Sequence, residues 1–553
     1  MDDRSRPQTH QVARGQLTAS AGRGAAVASA GTAVSRATGL MRLAATTYAL
    51  GVTESRLADT YNLANTTPTM IHELIIGGVL SSVLMRAYIE VRDTDGQEEA
   101  WRFIHRVTNA TVLLLAAISL VVVVAAPLIF KLYTLRVSGG AEAAQQMTGT
   151  FLLRLFVPQI LFYGLSYIST AVLNAHRRFG VPMFAPVLNN LTVTATLLLF
   201  AATVPETMRG ASSVPTAGAL ILGIGTSAGV GLQALAPWLY MRRVGYRWRR
   251  GDGIIDPRFG RLIRLSAFMA GYVVTNMIGL WVALFLANQV QGGVAAYQYA
   301  FVFFQLPHGL LAVSIATAIF PSLTERAVAN DLRRFAEELG GGLRAIAFFV
   351  LPAIAGYLAI APSIVSLLLE HGITTEASTD MVSLTLRVWA IGIFFFSTFY
   401  LFLRAFYAMG DTRTPMLINL VGFAVNVVLD VTAFAVLDDP RHQIAGLAAG
   451  HAASYMVAAA LALRSIKGRV GHRVTRGYPA TLMKILLASA LTGAAAWLVS
   501  GFAAEQLELP STVQQLVQVL AATAAGLLVY AGMAKALRLE EVRWILTIAR
   551  RRR

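Results

Sequence analysis

The chain has 553 residues, of which 56% are hydrophobic and only 14% are charged, and its net charge is +17. Soluble domains carry about 25% charged residues, so this composition excludes an ordinary soluble protein and indicates a chain folded in lipid. There is no cysteine, which excludes disulfide frameworks and thiolate metal sites, and the nine histidines show no HExxH spacing. We therefore expect no metal, no cofactor and no enzymatic activity.

Fourteen apolar runs follow one another along the chain. About 20 apolar residues cross the hydrocarbon core, and backbone amides find no partners in lipid unless the segment is helical. The sequence therefore predicts an all-α polytopic membrane protein with about 14 transmembrane helices. The predicted spans are 25–50, 61–89, 107–133, 149–173, 181–204, 217–241, 265–289, 294–320, 341–361, 383–408, 416–437, 444–463, 480–503 and 513–536.

Arginine and lysine are concentrated in the segments that follow even-numbered spans. The segment from Arg242 to Arg264 is an example, whereas Glu505 and Glu508 follow an odd-numbered span. This placement of positive charge is typical of membrane topology rather than of a nucleic-acid groove, so no nucleic-acid partner is expected. The positive-inside rule predicts that both termini are cytoplasmic, which requires an even number of spans.

A faint internal repeat divides the chain. A short basic turn that ends in Pro-Met follows span four at Pro182 and span ten at Pro415, about 233 residues or six spans later. Parallel repeats of this kind are typical of transporters. We predict a basic cytoplasmic tail (1–24), an N-terminal lobe of spans 1–6 (25–241), a basic cytoplasmic inter-lobe loop (242–264), a C-terminal lobe of spans 7–12 (265–463), spans 13–14 (480–536) and a basic amphipathic tail on the anionic inner leaflet (537–553).

Span one contains two arginines, Arg36 and Arg42. Each charge near the bilayer centre costs about 2.5–3.5 kcal/mol, so each is expected to face a hydrated cavity unless it snorkels towards the cytoplasmic surface. Six positions correspond to about 120° around a helix, so both side chains can border one cavity. Guanidinium groups bind pyrophosphate through paired, charge-assisted hydrogen bonds, which favours an anionic substrate.

Span two is polar in its first half and holds the ionisable residues Asp59, His72 and Glu73. Asp59 is expected either to pair with an arginine of span one or to be an ordinary acid at the outer surface. His72 and Glu73 are adjacent and point in different directions on a helix. We therefore expect at least one of them to face the cavity.

Other positions predict backbone kinks, close packing or an ion site. Pro68 removes a backbone hydrogen bond and favours a kink in span two, while Gly77 and Gly78 suit close helix packing. In span eleven, Asn426 and Asp430 lie four positions apart on one helix face. They predict either a site for a coupling ion or a hydrogen bond between helices.

Several short motifs follow one another along the chain. They are Ser35-Arg36-Ala-Thr-Gly39-Leu-Met-Arg42, then Asp59, Pro68 and Gly78-Val-Leu-Ser81, then Phe304-Gln-Leu-Pro307-His-Gly309, Arg404-Ala-Phe-Tyr407 and Asp411-Thr-Arg413-Thr-Pro415. Taken in order, these motifs resemble the MurJ (MviN) family of lipid II flippases in the MOP exporter superfamily. The likeness covers nearly the whole chain, and the pattern of Glu73 with Gly77-Gly78 is more similar to the high-GC Gram-positive branch.

The resemblance implies a flippase that moves lipid II, an undecaprenyl-pyrophosphate-linked muropeptide, across the bacterial cytoplasmic membrane by alternating access. Two lobes would enclose a cationic cavity, and spans 13 and 14 would form a groove for the polyprenyl tail. Arg36, Arg42 and Asp59 are carried over as substrate-binding positions, and His72 and Glu73 are candidates beside them. Anionic membrane lipids are expected partners, and cell-wall synthesis proteins are candidate partners.

The chain departs from the family pattern at two positions, because His72 and Val302 stand where members often carry arginine. The cavity is therefore expected to be less cationic. Pro307 in span eight is expected to act as a hinge or packing position, as is Pro68. Two alternatives remain: another exporter of the superfamily, for an oligosaccharide-lipid or a drug, and a non-transporting scaffold of cell-wall synthesis. The buried arginines count against both a drug carrier and a scaffold.

Overall fold

The computed structural model describes residues 30–77, 81–137, 140–209, 214–506 and 511–541, and within these ranges the chain is helical without strands. Gly78 and the predicted tail 1–24 lie outside the described residues, as does 542–553 of the predicted C-terminal tail. The helices are α1 (30–50), α2 (Leu57–His72), α3 (Ser81–Asp95), α4 (Gln97–Thr134), α5 (Ala141–Phe156), α6 (Pro158–Ala175), α7 (Gly180–Thr203), α8 (Glu206–Arg209), α9 (Thr216–Tyr240), α10 (Phe259–Ala287), α11 (Gly293–Pro307), α12 (Val313–Val328), α13 (Leu332–Leu369), α14 (Glu376–Ala408), α15 (Arg413–Val436), α16 (Pro440–Val470), α17 (Tyr478–Gln506) and α18 (Ser511–Ala536).

Twelve helical segments in the described part of the chain are long and apolar enough to cross a membrane. They correspond to predicted spans 3–14, and α1 and α2 stand at predicted spans one and two. These two helices fall short of the apolarity of the others because they carry polar and ionisable residues, among them Arg36, Arg42 and Asp59. The prediction of an all-helical polytopic membrane protein is confirmed.

The helices pack mainly with neighbours from the same half of the chain. In the N-terminal helix group (α1–α9), α9 packs on α5, α6 and α7, and α2 packs on α5. In the C-terminal helix group (α10–α18), α14 and α16 form the central pair, flanked by α13 and α15. The last two helices, α17 and α18, pack on each other and on α13.

Helices α2 and α11 share a feature: each contains a buried proline and is followed by an irregular turn. In α2, Pro68 precedes a π-helical turn at Glu73–Gly77, and in α11, Pro307 leads directly into a π-helical turn at His308–Ala312. Proline cannot donate a backbone hydrogen bond, and π turns mark places where the regular ladder is interrupted. The regular α-helical hydrogen bonding is therefore interrupted directly after α2 and directly after α11.

The same two helices, α2 and α11, face each other across the boundary between the helix groups. Hydrogen bonds there join residues that are 232 to 238 positions apart in the chain, such as Asn62 with Tyr299 and Thr66 with Gln298. This separation matches the sequence offset of about 233 residues between the two Pro-Met turns. The predicted internal repeat would therefore make α2 and α11 equivalent helices.

Candidate functional site

A cavity of about 690 Å³ lies between the two helix groups. Among the described residues that line it, Arg42 is the only Lys, Arg, Asp or Glu. The lining is instead rich in amide side chains, which both donate and accept hydrogen bonds. These amides are Asn62, Asn65, Asn190, Asn276, Gln298, Asn419 and Asn426.

The N-terminal helix group contributes the wall that carries the cation. Arg42 of α1 approaches the hydroxyl of Tyr61, which lies 2.8 Å from the hydroxyl of Thr226. Asn190 of α7 donates to the carbonyl oxygen of Ser35 at 3.1 Å, which fixes α7 against α1. Arg42 is half-buried and therefore accessible from the cavity while its stem packs among helices.

The C-terminal helix group contributes a wall of aromatic rings. Phe301, Phe396, Phe423 and Tyr455 line the cavity from four different helices and are half-buried. Behind them Trp389 is almost fully buried, with its ring centroid 4.5 Å from that of His451, 4.8 Å from that of Phe304 and 5.0 Å from that of Phe301. Phe301, Phe396 and Tyr455 pack with these rings in one cluster, and Phe423 lines the cavity separately, against Gly279 of α10.

One end of the cavity is closed by polar contacts between residues 47–59 and residues 288–295 and 374–378, which we call the latch. Glu54 is its centre: one carboxylate oxygen accepts from the backbone N–H of Thr375 at 2.7 Å and from the hydroxyl of Ser378 at 2.6 Å. The other oxygen accepts from the N–H of Val52 at 2.6 Å. Burial raises the pKa of Glu54, but these hydrogen bonds outweigh it and hold the pKa below its usual value.

Asp59 strengthens the latch by capping a helix of the opposite group. Its side chain is fully buried, and its two carboxylate oxygens accept from the backbone N–H groups of Gly292 at 2.7 Å and Ala295 at 3.0 Å. These donors lie at the start of α11, where four N–H groups lack helical partners and a negative charge is favoured. Arg56 supplies a nearby positive charge and donates to the carbonyl oxygen of Asn288 at 2.8 Å.

The sequence relationships agree with this architecture. A family model described as "Lipid II flippase MurJ" matches residues 47–518 of the chain. The chain belongs to the MurJ family. A "Probable lipid II flippase MurJ" of Rhizobium meliloti is 26% identical over 465 residues, 84% of this chain and 85% of that relative. A similar relative from Thermotoga maritima is 27% identical over 482 residues, 86% of this chain and 89% of that relative.

The fold is also similar to a solved structure titled "Lipid II flippase MurJ, inward closed conformation". The TM-score is 0.73 at 22% identity, over 93% of this chain and 99% of that one. An inward-facing multidrug resistance transporter of the MATE family, titled as a member of the MOP superfamily, gives a TM-score of 0.64 at 13% identity over 79% of this chain. The membership in the MurJ family therefore rests on sequence, and the structures show a shared fold.

The predicted site residues of the MurJ resemblance fall in different places. Arg42 lines the cavity, whereas Arg36 lies beside the π turn of α11, where its guanidinium group would be 2.8 Å from a Cβ atom at Gly309. Asp59 belongs to the latch, and its nearby positive charge is Arg56 rather than an arginine of span one. The structure therefore separates the three residues that the family pattern groups together.

His72 and Glu73 lie within the N-terminal helix group and are not among the cavity-lining residues. His72 is 1% exposed, and its ring centroid is 4.9 Å from that of Tyr167 and 5.5 Å from that of Tyr163. Glu73 accepts from the hydroxyl of Tyr167 at 2.8 Å. Gly77 ends the π turn of α2. In this conformation both residues contact Tyr167, and their role in substrate binding stays a prediction.

Asn426 and Asp430 are placed as the spacing on one helix face requires. The amide of Asn426 lines the cavity and donates to Asp430 at 3.0 Å within α15. Asp430 is 1% exposed, and its second carboxylate oxygen has no hydrogen-bond partner among the described residues. Gly450 of α16 packs so closely that a Cβ atom there would collide with Asp430. Groups of three or more metal-ligating side chains are absent from the described ranges.

Several site residues had no clear signal in the sequence. The latch acid Glu54 stands in a segment predicted as an ordinary outer loop, and its partners in the opposite helix group, Thr375 and Ser378, are more than 320 positions away. Asn190, which follows Asn189, and Asn276 are amides in apolar runs, and intramembrane polar residues are a signal that could have found them. Val302 lines the cavity, so the absence of an arginine there leaves this wall without fixed charge.

Proposed function

We propose that the chain is a lipid II flippase of the bacterial cytoplasmic membrane. The observation that carries the proposal is a polar cavity between two helix groups, with one arginine at its wall, in a chain that belongs to the MurJ family. Lipid II is an anionic lipid with a large polar headgroup. A cavity lined by amides and one guanidinium group offers that headgroup a path through the membrane.

Within this proposal the two helix groups act as lobes that rock against each other. The distribution of arginine and lysine puts both termini in the cytoplasm and the latch at the outer face. The conformation described is then closed towards the outside. Opening would require the bonds of Glu54, Asp59 and Arg56 to break, and substrate can favour one state only by binding the two states unequally.

Arg42 is proposed to hold the pyrophosphate. Its forked donor geometry matches phosphate oxygens, and a bound anion would offset the cost of keeping a cation within the bilayer. Arg36 lies one to two helical turns away on α1, against α11, where movement of the lobes would change its surroundings. We propose that Arg36 joins the site in another conformation, and that His72 and Glu73 are reached during the same motion.

The last two helices are proposed to hold the polyprenyl tail. They pack against α13, where the hydroxyl of Tyr530 donates to the carbonyl oxygen of Phe348 at 2.5 Å and Ser363 donates to Gln518 at 3.2 Å. Large apolar side chains such as Trp497 and Leu528 are exposed along α17 and α18. Anionic lipids near the basic segments and cell-wall synthesis proteins are proposed as further partners.

The pair Asn426 and Asp430 is proposed to couple transport to an ion. A carboxylate that is buried beside the cavity with one unpaired oxygen is costly unless a cation or a proton joins it. A hydrogen bond between helices would join this pair to a residue of another helix, whereas the bond between Asn426 and Asp430 lies within α15. These features favour the coupling site over the packing alternative.

The test uses purified protein in proteoliposomes that contain labelled lipid II, and follows its arrival in the opposite leaflet. Arg42→Ala should slow the transfer about 10- to 100-fold, because a hydrogen bond to a charged group contributes about 1.5–3 kcal/mol. Arg42→Lys keeps the charge but not the fork, so it should be intermediate. Arg333→Ala, which removes an exposed arginine paired with Glu337, is the matched control and should transfer normally.

Two outcomes would count against the proposal. Wild-type protein that does not accelerate lipid II transfer over empty liposomes would contradict flippase activity itself. Normal transfer by Arg42→Ala, at the same protein density in the membrane, would contradict the assignment of the pyrophosphate to Arg42.

A further inference from the structure

The aromatic wall of the cavity differs from an ordinary helix core. Trp389 and Phe304 are almost fully buried and are core residues in this sense, but Phe301, Phe396, Phe423 and Tyr455 are half-buried and face the cavity. A sugar ring presents C–H bonds on its flat face, and an aromatic ring carries negative charge on its own face, so the two stack favourably. Four such rings provide apolar platforms inside a polar cavity.

Polar groups of the kind that bind sugar hydroxyls and acetamido groups lie among these rings. Asn276 and Asn426 line the same wall with half-buried amides. Nδ2 of Asn419 and Nε2 of His451 are buried and have no hydrogen-bond partner among the described residues. A buried polar atom without a hydrogen-bond partner is unfavourable, and a ligand that supplies the missing hydrogen bond is therefore bound more tightly.

The distribution of charge decides which part of a ligand fits each wall. The only Lys, Arg, Asp or Glu among the described lining residues is Arg42, and it stands on the opposite wall. A pyrophosphate held by Arg42 leaves the rest of the headgroup facing rings and amides. We propose that the wall formed by Phe301, Phe396, Phe423 and Tyr455 binds the amino-sugar part of the headgroup. This inference rests on the proposed flippase function and names the wall by which the protein would recognise the headgroup.

The consequence is that sugar recognition and pyrophosphate recognition are separable. Loss of a ring should weaken binding of a lipid that carries the sugars and leave the bare polyprenyl pyrophosphate unaffected. Loss of Arg42 should weaken the binding of both lipids. If this wall were charged and bound the pyrophosphate, a change in it would weaken the binding of both lipids alike.

The experiment measures equilibrium binding of lipid II and of undecaprenyl pyrophosphate to the full chain in nanodiscs. Phe423→Leu and Phe301→Leu should each weaken lipid II binding about 3- to 10-fold, the range expected for one aromatic stacking contact, and change undecaprenyl pyrophosphate binding less than twofold. Phe423→Tyr keeps the ring and should bind both lipids as the wild type does. Phe434→Leu, half-buried on the same helix α15 and outside the cavity lining, is the matched control.

Each outcome has a distinct meaning. Equal losses for both lipids in Phe423→Leu, or unchanged lipid II binding in both ring variants, would overturn the assignment of the sugar to this wall. A loss in Phe434→Leu as large as that in Phe423→Leu would overturn it too, because the ring would then act through packing. Wild-type protein that binds neither lipid would instead refute the proposed function on which the inference rests.

Discussion

At the scale of single residues, the polar groups of α1, α2 and the segment between them are of two kinds. Arg42 faces the cavity, where a ligand can reach it, whereas Asp59 and Glu54 form contacts between the helix groups. The two acids differ from Arg42 in having hydrogen-bond partners in the other helix group. Asp59 accepts from backbone N–H groups at the start of α11, and Glu54 accepts from hydroxyls at the start of α14. Of the two acids, Glu54 has the hydrogen bonds that favour its ionised form and lower its pKa.

This preference for the ionised form predicts the effect of acid on the latch. The pKa of Glu54 is lowered in the latched form, so its stabilising contribution is complete above the ordinary pKa of about 4.3 and is lost as the pH falls through the lowered value. The population of open latches should therefore rise below about pH 4. The measurement is the distance between spin labels at Glu206→Cys and Ala377→Cys, on exposed positions of the two helix groups.

Glu54→Gln supplies the control for this titration. Glutamine keeps a carbonyl acceptor but carries no charge, so the latch should be weaker at neutral pH and its distance distribution should no longer respond to acid in this range. An identical acid response in the wild type and in Glu54→Gln would show that another group governs the opening.

The sequence could not predict these residue contacts, for a physical reason. Asp59 was expected to meet an arginine of span one or to be an ordinary surface acid, but its partners are main-chain N–H groups 233 and 236 positions away. Every residue except proline carries such a donor, so no side-chain pattern marks the capped position. Arg42, by contrast, was recognisable because a charge inside an apolar run is costly without a function.

At the scale of helices, the approach of α2 and α11 depends on a glycine. Gly292 stands just before α11 with φ of +77°, a conformation that residues with a side chain rarely adopt. A Cβ atom there would lie 2.6 Å from the carbonyl oxygen of Val52 and 2.7 Å from the Cα atom of Thr53. These are backbone atoms that cannot move aside without separating the two segments.

We therefore predict that Gly292→Ala opens the latch. Gly410 has a similar φ of +75° with nothing within 4 Å of its Cβ position, so Gly410→Ala carries the same conformational strain without the collision. In the spin-label measurement, Gly292→Ala should shift most of the population to longer distances, and Gly410→Ala should resemble the wild type. Equal distance distributions in the two variants would exclude the collision as the cause.

The positions of the helices could largely be predicted from the sequence, because the lipid bilayer restricts what a spanning segment can be. In lipid a span must be helical and about 20 residues long, so apolar runs alone located spans 3–14. Several helices extend well past the predicted ends, because they continue beyond the apolar run; α4 begins at Gln97 rather than at 107. The polar helices α1 and α2 were also predicted as the apolar runs 25–50 and 61–89, although they fall short of the apolarity of the other twelve. The irregular turn of α2 was not located: Pro68 predicted a kink, and the π turn begins at Glu73.

At the scale of the whole molecule, the cavity lies where the two helix groups meet. Helices α2 and α11 contact each other at the latch and border the cavity, and the predicted internal repeat would make them equivalent helices. The aromatic wall could not be foreseen because its four rings come from α11, α14, α15 and α16 and meet only through packing. A periodic pattern on one helix cannot reveal a surface that four helices share.

The central claim is that the latch must open for lipid II to leave the cavity on the outer side. The chain has no cysteine, so Thr53→Cys with Ser378→Cys places two thiols where the hydroxyl oxygens are 2.6 Å apart. Lipid II transfer in proteoliposomes should stop once the crosslink is complete and recover when a reductant breaks it, while each single variant stays active. Transfer at an unchanged rate with the crosslink complete would contradict alternation of the two helix groups.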